Sequence, residues 1–241
     1  MEHLFTLRQA LASYRHYQRL LGECDAQIAA LLATFDSTRD PGAPPLPPAP
    51  RSRKARRHPL PFDLRGELYR ILGTDLTAVP GFATSPLTLF AELGPHLTQF
   101  PSAKAFASWL GLCPDNRISG GKVLSVKTRR VIHRVANALR LAAQSLQRSG
   151  SALGAYYRRM RARLGAPKAI TATAHKLARI LYHLLTTREP YEETRVAAAE
   201  AQYQHRSASR VRAHARALGF QLVPLTPDAG SPSDPRPGAV F

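Results

Sequence analysis

Acidic residues are scarce in this chain. Its 241 residues include 16 Asp and Glu against 34 Lys and Arg, a formal net charge of +18. That imbalance says little about fold and much about partners: such a chain should seek DNA, RNA or an anionic membrane surface. Long apolar runs are missing too. No stretch approaches the roughly 18 residues needed to cross a bilayer, and the opening MEHLFTLRQ has no signal-peptide core. The expectation is therefore a cytoplasmic, nucleoid-associated protein with no membrane partner. Two cysteines, Cys24 and Cys113, cannot make a disulfide framework, and no metal-ligand spacing surrounds either. His175 and His183 lie eight apart on an apolar helical stripe with no third ligand nearby, which reads as one core and one surface histidine rather than a metal site. Credible strands are few, so the expected fold is mainly α.

What is present is organised in blocks. From Leu4 through Leu7, Leu11, Tyr14, Gln18, Leu21, Asp25, Ile28, Leu32 and Phe35, steps of three and four alternate. This heptad seam predicts a helix over 1–38, either a coiled coil that joins copies of the chain or links domains, or a helix packed on its own domain, with the coiled coil favoured. GAPPLPPAP and RSRKARRH come next, so 39–60 reads as a proline- and arginine-rich linker. A compact helical domain is expected over 61–190. Ser102 suits the N-cap of a helix running through Phe106 and Trp109 to Gly111. Long helices are expected at 127–148, with the stripe Ile132, Val135, Leu139, Ala142 and Leu146, and at 168–187, with Ile170, Leu177, Ile180, Leu181 and Leu184. A further helix should fill much of 191–225, and 226–241 reads as a disordered tail.

The missing carboxylates are not missing evenly. After Asp115 the next one is Glu189, and sixteen Lys and Arg residues fall between them. A solvated face normally mixes signs to limit self-repulsion. A long single-sign segment makes sense if phosphates neutralise it. Within it, NRISGGKVLSVKTRR sets Ser119 beside Gly120 and Gly121, amid Arg117, Lys122, Lys127, Arg129 and Arg130. A serine hydroxyl needs activation and charge stabilisation to act as a nucleophile. The two glycines allow close backbone approach and the cations could stabilise a phosphate, but no histidine lies in the loop, and His133 sits further on, in a helix. On the residues alone, Ser-Gly-Gly is first of all a turn. Upstream, Val79-Pro80-Gly81-Phe82-Ala83 between two short helices suggests a helix-hairpin-helix, whose backbone N–H groups can hold a phosphate. A simple corner fits the same residues. Tyr156 and Tyr157 beside Arg158 and Arg159 suit either base stacking or ordinary packing, with packing favoured.

Longer motifs narrow the choice. DLTAVPGFATSPLTLFAELG, FASWLGLCPDNRISGGKVLSVKTRR, ALRLAAQSL and SALGAYYRRMRARLGAPKAITATAHKLARILYHLL resemble the C-terminal part of IS110/IS1111-family transposases; MEHLFTLRQALASYRHYQRLL and ALGFQLVP extend the resemblance over about residues 1–225. The resemblance implies a transposase domain whose serine attacks a DNA phosphate and forms a phosphoserine link. That role maps onto Ser119, with Ser125 as the nearby alternative. The phosphate-binding surroundings would be Arg117, Gly120, Gly121, Lys122, Lys127, Arg129 and Arg130, and the proline-glycine hairpin would be Pro80 and Gly81. It also implies DNA transposition, an element-encoded structured RNA as partner, and a RuvC-like domain whose Asp-Glu-Asp-Asp set binds Mg²⁺. The chain resembles only the family's region C-terminal to that domain, so no cofactor is expected on this chain itself. The expectation is part of a serine recombinase or, as the alternative, an inactive remnant that only binds DNA or RNA.

Overall fold

The computed structural model describes residues 2–39, 42, 45–48, 60–83, 85–125, 128–129 and 131–223. Most of the expected linker, the whole expected tail at 226–241, Lys127 and Arg130 lie outside the described residues. The chain divides into two compact units, Met1–Ala197 and Ala198–Phe241.

The first unit is mainly α. It holds α1 (Glu2–Ala33), α2 (Leu64–Leu72), α3 (Pro86–Leu93), α4 (Ala103–Trp109), a hairpin of β1 (Arg117–Ser119) and β2 (Lys122–Ser125), α5 (Arg134–Ser145), α6 (Ala152–Leu164) and α7 (Ala166–Thr187). The last helix, α8 (Glu193–Ala217), begins in this unit and runs on into the second.

Helix α7 is the centre of the domain. It packs against α4, α5 and α6. Ala169, Ala174 and Ala178 on α7 and Ala136 and Ala143 on α5 are fully buried. These small side chains let backbones approach closely, while Leu177, Leu181 and Leu139 fill the space between them. Tyr182 donates its hydroxyl to Phe100 O at 2.9 Å and so ties α7 to the segment before α4.

Among the described residues, helix α1 is buried only towards its C-terminal end, at Asp25 and Leu32. Leu32 is buried, and Ile28 and Phe35 pack against the core. Arg70 on α2 donates to Leu32 O at 2.9 Å and Phe35 O at 2.7 Å, satisfying carbonyls that a helix end leaves open. In return Thr38 N donates to Arg70 O at 3.1 Å. The seam further up the helix stays open: Leu4, Leu7, Leu11, Tyr14 and Leu21 are all exposed.

Two expectations need correction. The helix expected from 127 begins at Arg134, because residues 117–125 form a hairpin and His133 caps α5 from an extended backbone conformation (φ −134°, ψ 126°). Ile132 therefore precedes the helix and is fully exposed rather than part of its buried stripe. Helix α6 is the other difference, since no helix is expected there from the pattern. Ser151 caps it by accepting from Gly154 N at 3.1 Å, and Leu153, Tyr157 and Met160 are its buried face.

Candidate nucleic-acid interface and its serine

The acid-free run folds into a hairpin on a rigid foot. Ser119 ends β1 and pairs with Lys122 across the antiparallel ladder, so only Gly120 and Gly121 make the turn. Both have positive φ, 55° and 76°. A two-residue turn of this hand matches the twist of the flanking strands, and its positive φ values favour glycine. Ser-Gly-Gly is thus a turn, as its residues alone suggested, and the turn puts Ser119 at an exposed tip. Ile118 and Leu124 are exposed as well, so the ribbon projects from the domain. Ser125 lies nearer the foot, opposite Arg117.

The foot is built by close contacts between the outgoing and returning chain. Gly111 has φ 66°, and a Cβ there would lie 2.8 Å from Val131 Cγ2. Arg129 donates through Nη2 to Ser108 O at 2.7 Å and Ser108 Oγ at 3.1 Å. His133 accepts from Val135 N through Nδ1 at 3.2 Å and lays its ring against Trp109, centroid to centroid 4.1 Å. Arg134 reaches Glu92 at 3.1 Å.

These contacts sort the expected site residues. Ser119, Gly120, Gly121 and Lys122 come together at the tip. Arg117 starts β1. Arg129 holds the foot through Ser108 rather than reaching the tip. His133 is a helix cap, not a residue within a helix. Among the described residues, no His, Asp or Glu is hydrogen-bonded to the Ser119 hydroxyl. Pro80 and Gly81 are elsewhere: Phe82 N donates to Val79 O at 3.0 Å, closing a turn in which Gly81 has φ 98°. A Cβ on Gly81 would meet Ala142 O at 3.0 Å. That carbonyl is eight residues along α5 from the hairpin's foot, roughly 12 Å at the helical rise. The element before this turn is a single 3-10 turn, Leu76–Ala78.

Other chemistry can be placed as well. Burial pushes the Cys113 thiol up, against the pull of Lys104 and Arg129, so it stays protonated at neutral pH. His175 is half-buried rather than a core histidine, and His183 is exposed as expected, 3.5 Å from the Glu189 carboxylate. Burial, and then the charge of Arg179, lowers the His175 pKa. A depressed histidine means that the unfolded chain binds the proton better. Stability should therefore fall as pH drops below about 6.5, the ordinary histidine value. Thermal unfolding measured from pH 7.5 to 5 should show this decline, and His175→Gln should flatten it. Among the described residues, no group of three His, Cys, Asp or Glu could hold a metal ion. The Mg²⁺ implied by the resemblance finds no fitting donor set among these residues. No described helix is long and apolar enough to cross a membrane.

Fold and site together define a mainly α-helical, cation-rich domain that presents a serine on a projecting ribbon. Residues 74–158, which hold the Pro80–Gly81 turn, the hairpin and all of α5, match the family described as Transposase IS116/IS110/IS902. Over this region the chain is similar to transposases of that family. It is also similar to the protein named "Putative transposase y4pF/y4sB" of Sinorhizobium fredii, with 34% identity over 128 residues, 49% of this chain and 32% of that protein. The match thus spans about a third of the relative's length. No solved structure matches the chain.

Sequence reasoning missed the Trp109–His133 pair. The sequence places Trp109 on a helix with Phe106 but does not show that it is 43% exposed. The signal that could have found it is Gly111, which ends α4 just beyond Trp109 and leaves that last turn at the edge of the core.

Proposed function

We propose that this chain is the DNA-gripping and strand-transferring part of a transposase, with Ser119 as the nucleophile. The observation that carries the reading is that the family match spans the hairpin that holds Ser119 at an exposed tip. In the step, Ser119 Oγ forms a bond to a DNA phosphorus and the P–O bond to one deoxyribose breaks. The serine proton leaves to solvent and the departing strand end takes one up as a hydroxyl. Lys122, across the ladder from Ser119, offsets charge building on the phosphate oxygens. Arg117, Lys127 and Arg130, neighbours in sequence, steer the backbone, and Arg129 keeps the ribbon in place. The open seam of α1 joins copies of the chain, as two DNA segments must be held together for exchange. An element-encoded RNA is the further partner of this reading.

Ser119→Ala is expected to abolish any covalent protein–DNA adduct on a nicked or branched substrate, while binding stays within about two-fold. Ser125→Ala should leave the adduct in place. Denaturing gel electrophoresis of end-labelled DNA, with an acidic nuclease domain of the family added, reads both. An adduct that survives Ser119→Ala would overturn the assignment. Tight binding with no adduct at all would favour the alternative, a chain that binds nucleic acid without turnover.

A further inference from the structure

Exposed tryptophan is costly to leave in water, and this chain has a single Trp. Trp109 stands where the hairpin meets the domain. Its ring is buttressed by others: Phe100 at 5.0 Å, Phe106 at 6.3 Å in a stacked arrangement, and His133 at 4.1 Å, edge on. Phe106 is fully buried and Phe100 O is tied to the Tyr182 hydroxyl, so the support is rigid. The indole nevertheless leaves 43% of the residue open. The rim is cationic. Arg129 is anchored on Ser108, one residue from Trp109, and Lys104 and Arg129 are both near enough to Cys113 to act on its thiol.

We propose that Trp109 is a stacking shelf for an unpaired nucleobase of single-stranded nucleic acid. A rigid aromatic surface amid cations takes a base on its ring while the cations take the adjoining phosphates. A paired base keeps its faces inside the stack and cannot use the shelf, and a sulfated polysaccharide has no base to offer. The cations alone would grip any polyanion; the shelf adds a preference for unpaired strand beside the hairpin. This inference rests on the nucleic-acid-binding reading above.

Because the tryptophan is single, its fluorescence reports the shelf directly. The full chain would be titrated with a mixed-sequence single-stranded oligonucleotide, with its blunt duplex and with heparin. Single strand should quench the emission strongly, and heparin should bind with little quenching. Trp109→Ala should weaken single-strand binding by about ten- to a hundred-fold, read by anisotropy of a labelled strand, and leave duplex and heparin affinity within about two-fold. Trp109→Phe should keep much of the single-strand preference. Equal quenching by heparin and single strand, or single-strand affinity unchanged in Trp109→Ala, would overturn the shelf while the nucleic-acid reading stands. An equal loss for all three ligands in Trp109→Ala, with Trp109→Phe unchanged, would assign the indole to packing and overturn it too. A wild-type chain that binds none of the three would overturn both readings.

Discussion

Raising salt from 50 to 200 mM should weaken DNA binding by about a hundred- to a thousand-fold, as expected for roughly four to six phosphate contacts. The cause is the segment between Asp115 and Glu189, which carries sixteen cations and no carboxylate. Elsewhere the domain pairs its charges: Arg65 with Asp75, Arg70 with Glu67, Arg195 with Glu189 and Glu192. Within the segment, Arg134 must reach outside it, to Glu92, for a carboxylate. A cationic segment with no carboxylate of its own attracts phosphates, and each phosphate neutralised releases counterions from DNA. Anisotropy of a labelled duplex across a salt series gives the slope. A slope near zero would mean that the cationic segment does not meet the backbone.

Arg65→Met should destabilise the domain by on the order of 2–3 kcal/mol. Arg65 donates to Asp75 Oδ2 through Nη2 at 2.6 Å and through Nε at 3.2 Å, and to Thr77 Oγ1 at 3.0 Å. Asp75 in turn accepts from Thr77 N at 2.9 Å and caps the 3-10 turn that leads into Val79 and Phe82, both buried. Burial pushes the Asp75 carboxyl up, but the bonds from Arg65 and Thr77 outweigh it and hold the pKa below the ordinary 3.8. A depressed carboxyl contributes stability above its unfolded pKa and loses it as pH falls through the folded value. Removing the guanidinium strands a buried carboxylate with only Thr77 to bond. The gap between variant and wild type should be widest near neutral pH and should narrow below about pH 4, where the carboxyl protonates. Urea denaturation at pH 7 and near pH 3.5 measures both. Equal gaps at the two pH values would show that the loss comes from packing of the arginine stem.

How legible each element was in the sequence depends on the reach of the interactions that form it. Ser102 as a cap was legible because capping is local: its Oγ accepts from Ala105 N three residues on. The stripe of α7 was legible because a central helix must bury a full face; Leu177, Leu181 and Leu184 do so. The hairpin was hidden for two reasons. Its strands are only three and four residues long, and Ile132, Val135 and Leu139 keep helical spacing straight through the true start of α5. Helix α6 was hidden by its arginines, although Leu153, Tyr157 and Met160 stand at the spacing of one helical face. The serine's position at a tip needed only Gly120 and Gly121. That Arg129 faces Ser108, and that His133 caps α5 against Trp109, depends on how α4 and α5 meet, which no local pattern encodes.

The most direct test of the central claim uses the spacing of the cations themselves. Trypsin cuts after Arg117, Lys122 and Lys127, so Ser119 falls in the peptide Ile118-Ser119-Gly120-Gly121-Lys122 and Ser125 in the next, Val123-Leu124-Ser125-Val126-Lys127. The chain would be incubated with a branched substrate and the family's acidic nuclease domain, denatured, and digested with nuclease and trypsin. Mass spectrometry of the DNA-bearing peptide then identifies the nucleophile. The account predicts a nucleotide on the first peptide and none on the second. A nucleotide on any other peptide, or DNA bound tightly with no modified peptide, would contradict it.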